Sequence, residues 1–368
     1  MKNDYTYELA LTMLPGVGCQ TQRQLMEIVG SAKELFEMPA KELTTVFGKH
    51  KKIVNAIVEK SMFADVEKEL KFIEKNKIKI LYYNEPEYPQ RLNRPGCEDT
   101  PILLYSLGNA DYNAARTISV VGTRRATVEG VDLTNALIAG LRQEEVTIVS
   151  GLALGIDSAA HMAALNEGLP TLGVLGHGLD QIYPSQNRNL AKKIINNGGA
   201  LLTERCSGTP ISPGLFPARN RIIAALSDAT VVVEASVKGG ALITANIASS
   251  YHRELFAFPG RIKDKYSEGC NAIIASGKAM LIRGADDLMT NMGWERKCKI
   301  IGKQTSLFPD INGNEKTIYE ILDKSDGLTM DQIREHCDLS LPQIATALLG
   351  LELKNICRCL PGKIYKTI

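Results

Sequence analysis

The spacing of apolar positions changes twice along the chain. Residues 1 to about 75 carry apolar side chains at helical intervals among charged ones, which predicts a helical segment. From about 76 to 292 short apolar runs recur at 78–83, 118–122, 146–150, 171–175, 200–203, 230–234, 254–258 and 280–282. Amphipathic stretches lie between them, among them 128–142, 156–167, 187–197 and 241–252. Apolar strands alternating with helices predict a parallel sheet covered on both faces, an extended Rossmann-like, doubly wound α/β fold. Ligands of such sheets collect at the carboxyl ends of strands, where the chain order switches. Residues 293–313 read as a linker. Residues 314–368 hold three helical stretches and two short strands around Pro361-Gly362, the outline of a winged helix.

A chain of 368 residues exceeds the size at which one core stops growing, so two or three domains are expected. With 44% hydrophobic and 23% charged residues, it has the composition of a soluble globular protein. A net charge of +2 provides no global pull on nucleic acid, so any such site must come from local clustering. The eight cysteines contain no CxxC pair and the five histidines form no cluster, which argues against a metal site. Cysteines without a spacing pattern suit reduced thiols and a cytoplasmic location. No window approaches 18 apolar residues, and the N-terminus lacks a long apolar stretch; neither a membrane span nor a secretory signal is expected.

The terminal segments offer little charge. Residues 1–75 contain 11 bases and 11 acids. Within them LTMLPGVGCQTQRQL (11–25) has the glycine turn of a helix-hairpin-helix, with a weaker copy, LTTVFGKHKKIVNAI, at 43–57. Such a turn can aim backbone N–H groups at a phosphate, or it can simply join two helices of a bundle. The presumptive recognition helix of the last segment, LSLPQIATALLGLELKN, is mostly apolar, with Lys354 its only base. That composition favours protein contact or structural capping over base reading.

Four strand ends in the central segment carry the candidate chemistry. The first is Gly122-Thr123-Arg124-Arg125. The second runs from Ser150 through Gly151 and Gly155 into a helix. The third, LGHGLDQIYPSQNRNL, holds Tyr183 and Asn187, and in the fourth Gly239-Gly240 opens a helix with Thr244 one turn in. Each turn can present backbone N–H groups and a helix dipole to a phosphate, and four on successive crossovers predict a concave, anion-attracting rim. Between the third and fourth lies SPGLFPARNRIIAALSDA, with Phe216, Arg219, Asn220 and Arg221. From 181 to 227 there are six bases and one acid, Glu204, the clearest positive block in the chain.

Catalysis at this rim would need a positioned base or a metal set. Its acids are Asp157, placed to cap a helix; Asp180, placed to orient a loop; and Glu234, a possible base or a partner for an arginine. His161 and His177 have no evident partner, and no G-x-x-x-x-G-K-[ST] motif is present. Binding without chemistry is therefore expected, with no catalytic residue, no metal and no cofactor.

The ordered set V-G-T-R, S-G-L-A-L-G-I-D-S-A-A-H, G-L-D-Q-I-Y-P-x-x-N, R-N-R-I-I-A-A-L-S and G-G-A-L-I-T-A-N, then F-P-G and G-C-N-A-I-I, closely resembles the DNA-processing DprA (Smf) family over about 116–282. The helix-hairpin-helix (SAM-like) start and winged-helix end resemble its three-domain form. The resemblance implies a homodimer that binds single-stranded DNA and loads the RecA recombinase during natural transformation. By the same analogy Arg124 holds a phosphate with backbone help near Gly122, Gly151 and Gly240. Tyr183 and Phe216 then stack on bases, and Arg219 and Arg221 neutralise further phosphates. The alternative is a nucleotide-acting, phosphoribohydrolase-like enzyme, because the G-G-x-x-x-T turn resembles that of such enzymes. That reading puts its weight on Glu234.

Overall fold

The computed structural model describes residues 4–48, 51–295, 313–325, 327–354, 356–360 and 363–367. These divide into two compact units, residues 1–296 and 297–368. Most of the expected linker, 296–312, lies outside the described residues, as do Pro361 and Gly362.

Six helices open the first unit: α1 (Thr6–Thr12), α2 (Cys19–Val29), α3 (Ala32–Glu37), α4 (Ala40–Phe47), α5 (Lys51–Glu59) and α6 (Phe63–Asn76). Gly16, at φ +74°, makes the turn between α1 and α2, a backbone region that a Cβ disfavours. The second hairpin includes residues 49–50, outside the described residues. The helices do not form a separate body. Leu9, Leu35, Phe36 and Val66 share one core with Ile80 and Tyr82 of β1 (Lys79–Tyr82) and Leu103 and Tyr105 of β2 (Leu103–Gly108). Residues 1–75 are thus built onto one end of the sheet.

That sheet has nine strands in the order β1-β2-β6-β5-β4-β3-β7-β8-β9. The further strands are β3 (Arg116–Val121), β4 (Val146–Ser150), β5 (Thr171–Val174), β6 (Ala200–Thr203), β7 (Ala229–Val232), β8 (Glu254–Ala257) and β9 (Met280–Leu281). From β6 to β9 all neighbours are parallel, whereas β2 joins β6 and β1 antiparallel. β2 is absent from the strands expected by periodicity.

Alternation along the strands explains the two covered faces. Ile118 and Val120 of β3 pack with Leu137 and Ile138 of α7 (Val128–Ala139) and with Ala160 and Ala164 of α8 (Ile156–Asn166). Val121 faces the other way, with Ile222 and Ile223 of α10 (Leu215–Ala225) and Ala241 and Ala245 of α11 (Gly240–Ser250). The first unit also includes α9 (Arg188–Asn196), α12 (Glu268–Ala275) and α13 (Ala285–Asn291).

The chain runs outward from β3 through β4, β5 and β6, then returns to lay β7 against the opposite side of β3. The order reverses there, so the loops after β3, β4 and β7 part and leave a crevice at their carboxyl ends. The second unit is a winged helix: α14 (Asn314–Leu322), α15 (Met330–Glu335) and α16 (Leu341–Leu353), with a small sheet of β10 (Leu328–Thr329), β12 (Ile364–Thr367) and β11 (Cys357–Leu360). Among the described residues no helix is long and apolar enough to cross a membrane.

Candidate nucleic-acid interface

A cleft of about 450 Å³ opens at the switch point. Four segments line it: Gly122 to Arg124 after β3, Ala153 and Asp157 after β4, Phe216 to Asn220 of α10, and Ala235 to Thr244 around the start of α11, with Tyr183 on its edge. Arg124 is exposed and its guanidinium lies 5.3 Å from the centre of the Phe216 ring. The Tyr183 ring, 45% exposed, lies 5.5 Å from Phe216 at 37°. A cation and two rings thus line the mouth. On the opposite wall α11 begins at Gly240 without a side-chain cap, so its first amides and its dipole are offered to the cleft. A Cβ on Gly240 would meet nothing within 4 Å, which leaves room for a backbone-hugging ligand.

The loops are held by groups beneath them. Buried Glu234 accepts the Thr127 N–H at 3.0 Å and the Thr127 hydroxyl, fixing the start of α7. Gly130 is required beside it, since a Cβ there would lie 2.3 Å from the carboxyl carbon. The Glu234 carboxylate is therefore engaged at a helix start beneath the loops, and it does not line the cleft. His177, also buried, accepts the Tyr183 N–H through Nε2 at 3.2 Å, while Nδ1 donates to the Gly178 carbonyl at 2.9 Å. It positions the Tyr183 loop. His161 is a core residue bonded to Thr171 at 2.7 Å, and burial pushes its imidazole down to about 3. Asp157 accepts the Ala153 N–H at 3.4 Å, and burial raises its carboxyl above the usual range against the pull of Arg219.

Several residues expected to touch the ligand turn out to be supports. Ser150 is fully buried and donates to the Val120 carbonyl at 2.7 Å. Gly151 is buried because the Arg219 guanidinium fills the space a Cβ would need, 2.5 Å away. Gly155, at φ +81°, lets the Thr123 carbonyl come within 2.2 Å of its Cβ direction, so the loops after β3 and β4 interlock. Asn187 is buried and donates to the carbonyls of Leu152 and Ala153 at 2.8 and 3.2 Å. Ser150, Gly155 and Asn187 brace the rim without lining the cleft, whereas Gly151 lines a small adjoining pocket with Arg124, Tyr183 and Phe216.

The arginines also need correction. Arg219 is 5% exposed and donates to the carbonyls of Gly151 and Val174, tying the ends of β4 and β5 together under the cleft. Burial lowers its guanidinium to about 10, still protonated at neutral pH. Arg221 lies elsewhere: it pairs with Glu204 at 2.6 Å, and Arg205 takes the other oxygen at 3.4 Å. Both belong to a second cleft, which also contains Asp99 and the start of α2. The hairpin turn, which could have aimed its amides at a phosphate or simply joined two helices, shares this cleft with the carboxylates of Asp99 and Glu204 and the guanidiniums of Arg205 and Arg221. The apparent positive block of 181–227 disperses into a buried cation, paired cations and the exposed face of α9. Arg125 is exposed on the rim beside Arg124, outside the cleft lining.

Of the expected site residues, the cleft gathers Gly122, Thr123, Arg124, Tyr183, Phe216, Arg219, Asn220, Gly239, Gly240 and Thr244. A family model described as DNA recombination-mediator protein A matches residues 79–293, and one described as the DprA winged helix domain matches 309–363. The chain belongs to the DprA/Smf family. It is 43% identical to the DNA processing protein DprA of Streptococcus pneumoniae over 190 residues, covering 52% of this chain and 67% of that one. It is 32% identical to the Smf protein of Escherichia coli over 300 residues, covering 81% and 79%. The solved DprA structure from S. pneumoniae superposes with a TM-score of 0.68 at 33% identity, covering 79% of this chain and 98% of that one. A DprA structure from Helicobacter pylori, described by its single-stranded DNA binding mode, superposes at 0.52 with 30% identity, covering 59% and 95%.

The residues missed by sequence reasoning are mainly supports. Neither the His177 bond to the Tyr183 backbone nor the commitment of Glu234 to Thr127 follows from any spacing in the chain. Ser236, which lines the cleft beside Gly239, sits in the turn before the glycine pair and was legible only as part of it. Among the described residues no group of three or more His, Cys, Asp or Glu side chains could hold a metal ion.

Proposed function

We propose that this chain binds single-stranded DNA without reading its sequence, in the cleft at the β3–β7 switch point, and leaves the strand chemically unchanged. One observation carries this: the Arg124 guanidinium and the Phe216 and Tyr183 rings share the cleft mouth, facing the uncapped start of α11. A cation and helix amides suit phosphates, which every sequence has. Flat side chains suit unstacked bases, which a duplex does not offer. The H. pylori relative described as a single-strand binder supports the same assignment. Against turnover stands the buried commitment of Glu234 to Thr127.

Family membership supports a place in DNA recombination, and we infer that the bound strand passes to RecA in a cytoplasmic, homodimeric complex, as in natural transformation. Fluorescence anisotropy with labelled oligo-dT and a duplex of equal length tests the binding. The oligo-dT should bind tighter, and equal affinity for both would refute single-strand selectivity. Faster RecA filament nucleation on oligo-dT in the presence of the chain tests the hand-over; an unchanged lag would refute it.

A further inference from the structure

The carboxyl edge of the sheet is electrically lopsided about the cleft. On the β5–β6 side, residues 175–187 contain no lysine or arginine, and in 204–214 the single base, Arg205, is paired with Glu204. On the β7–β8 side the loops carry Lys238, Arg261, Lys263 and Lys265, all exposed and none ion-paired among the described residues. β7 and β8 are parallel neighbours, with Val232 opposite Ala257, so the loops that follow them emerge side by side.

The loop after β8 is built so that its cations face outward. Its base is clamped by Asn271, which receives the Gly260 N–H at 3.1 Å and donates to the Gly260 carbonyl at 3.0 Å. Its far end is stitched to the cleft wall: the Ala235 N–H donates to the Tyr266 carbonyl at 2.7 Å, and the Gly269 N–H to the Ala235 carbonyl at 2.8 Å. Ala235 itself lines the cleft. Asp264, the one acid within 258–267, turns inward and accepts the Tyr266 N–H at 3.0 Å and the Ser267 hydroxyl at 3.4 Å. With that carboxylate occupied in holding the turn, Arg261, Lys263 and Lys265 have no ion-pair partner among the described residues, and the loop keeps a net positive charge. Ile262 stands 88% exposed between them.

We propose that a polyanionic strand held in the cleft leaves it across the loops after β7 and β8, with Arg261, Lys263 and Lys265 neutralising its next phosphates. The path presupposes single-strand binding in the cleft. It gives the bound strand an exit toward β7 and β8, where the loops carry four exposed cations, whereas the β5–β6 side offers only Arg188 where α9 begins.

The test uses the full chain and the variant Arg261→Gln/Lys263→Gln/Lys265→Gln, titrated with salt against oligo-dT from about 4 to about 16 nucleotides, the range of single-strand site sizes. With the shortest oligomer, which fills the cleft alone, variant and wild type should share one slope of log affinity on log salt. With the longest, the variant slope should be shallower by about 2, three phosphates at about 0.7 each. Equal slopes at every length, with Arg124→Ala still weakening both proteins, would overturn the exit path and leave the cleft intact. Failure of the wild type to bind, or indifference to Arg124→Ala, would remove the cleft reading and the path with it.

Discussion

Replacing Phe216 with alanine separates stacking from charge at this site. The ring is half-buried, with the Arg124 guanidinium 5.3 Å and the Tyr183 ring 5.5 Å from its centre. A base stacked on an aromatic side chain contributes about 1–3 kcal/mol. At about 1.4 kcal/mol per tenfold, Phe216→Ala should weaken oligo-dT binding about 5- to 150-fold. Phe216 carries no charge, so the slope of log affinity against log salt should stay that of the wild type. Fluorescence anisotropy at four or more salt concentrations measures both quantities together. Unchanged affinity would refute stacking at Phe216, and a shallower slope would mean that the ring acts only by placing Arg124.

Three further outcomes follow from the supports. Gly155→Ala places a side chain at φ +81° and against the Thr123 carbonyl, so unfolding stability should fall by at least about 1–2 kcal/mol, seen as a lower Tm; an unchanged Tm would contradict the interlocking of the two loops. His161 is held neutral by burial, down to about 3, whereas the unfolded chain takes up its proton near 6.5; stability should therefore fall as pH drops below that value, by about 2 kcal/mol at pH 5 from this group alone. Denaturant titrations at pH 7 and pH 5 should show a smaller difference for His161→Leu than for the wild type, and equal differences would contradict its burial as a neutral group. Arg221→Gln should lower stability, by removing the nearer of the two guanidiniums paired with Glu204, yet leave the salt slope of oligo-dT binding unchanged; a shallower slope would return Arg221 to the DNA surface.

The parallel strands could be read from the sequence because burial on both faces writes each one as a short, mostly apolar run, as at 118–122 and 230–234. β2 escaped because Leu103–Gly108 mixes leucine with Tyr105 and Ser106 and lies in the antiparallel extension, where neither strict alternation nor a β-branched run marks it. The glycine turns were legible as a rim, but which atoms they offer was not. Arg219 and Arg221 look equivalent in A-R-N-R-I, and a helix beginning only after them would put both in a loop. α10 begins instead at Leu215, so the two lie about 200° apart around the helix. One points under the cleft and the other at Glu204. Phe216 and Asn220, four residues apart, share the face that lines the cleft. Charge counting along the chain failed for the same reason: it found the block at 181–227, whose cations the fold buries, pairs or spreads out. It passed over R-I-K-D-K, whose aspartate the fold turns inward.

The central claim is that Arg124 holds a phosphate of a single strand at the mouth of the switch-point cleft. A salt titration of oligo-dT binding by the wild type and Arg124→Ala tests it most directly. The variant should bind more weakly at every salt concentration, with a slope shallower by about 0.7 because one phosphate fewer is neutralised. Superimposable lines for the two proteins would contradict it.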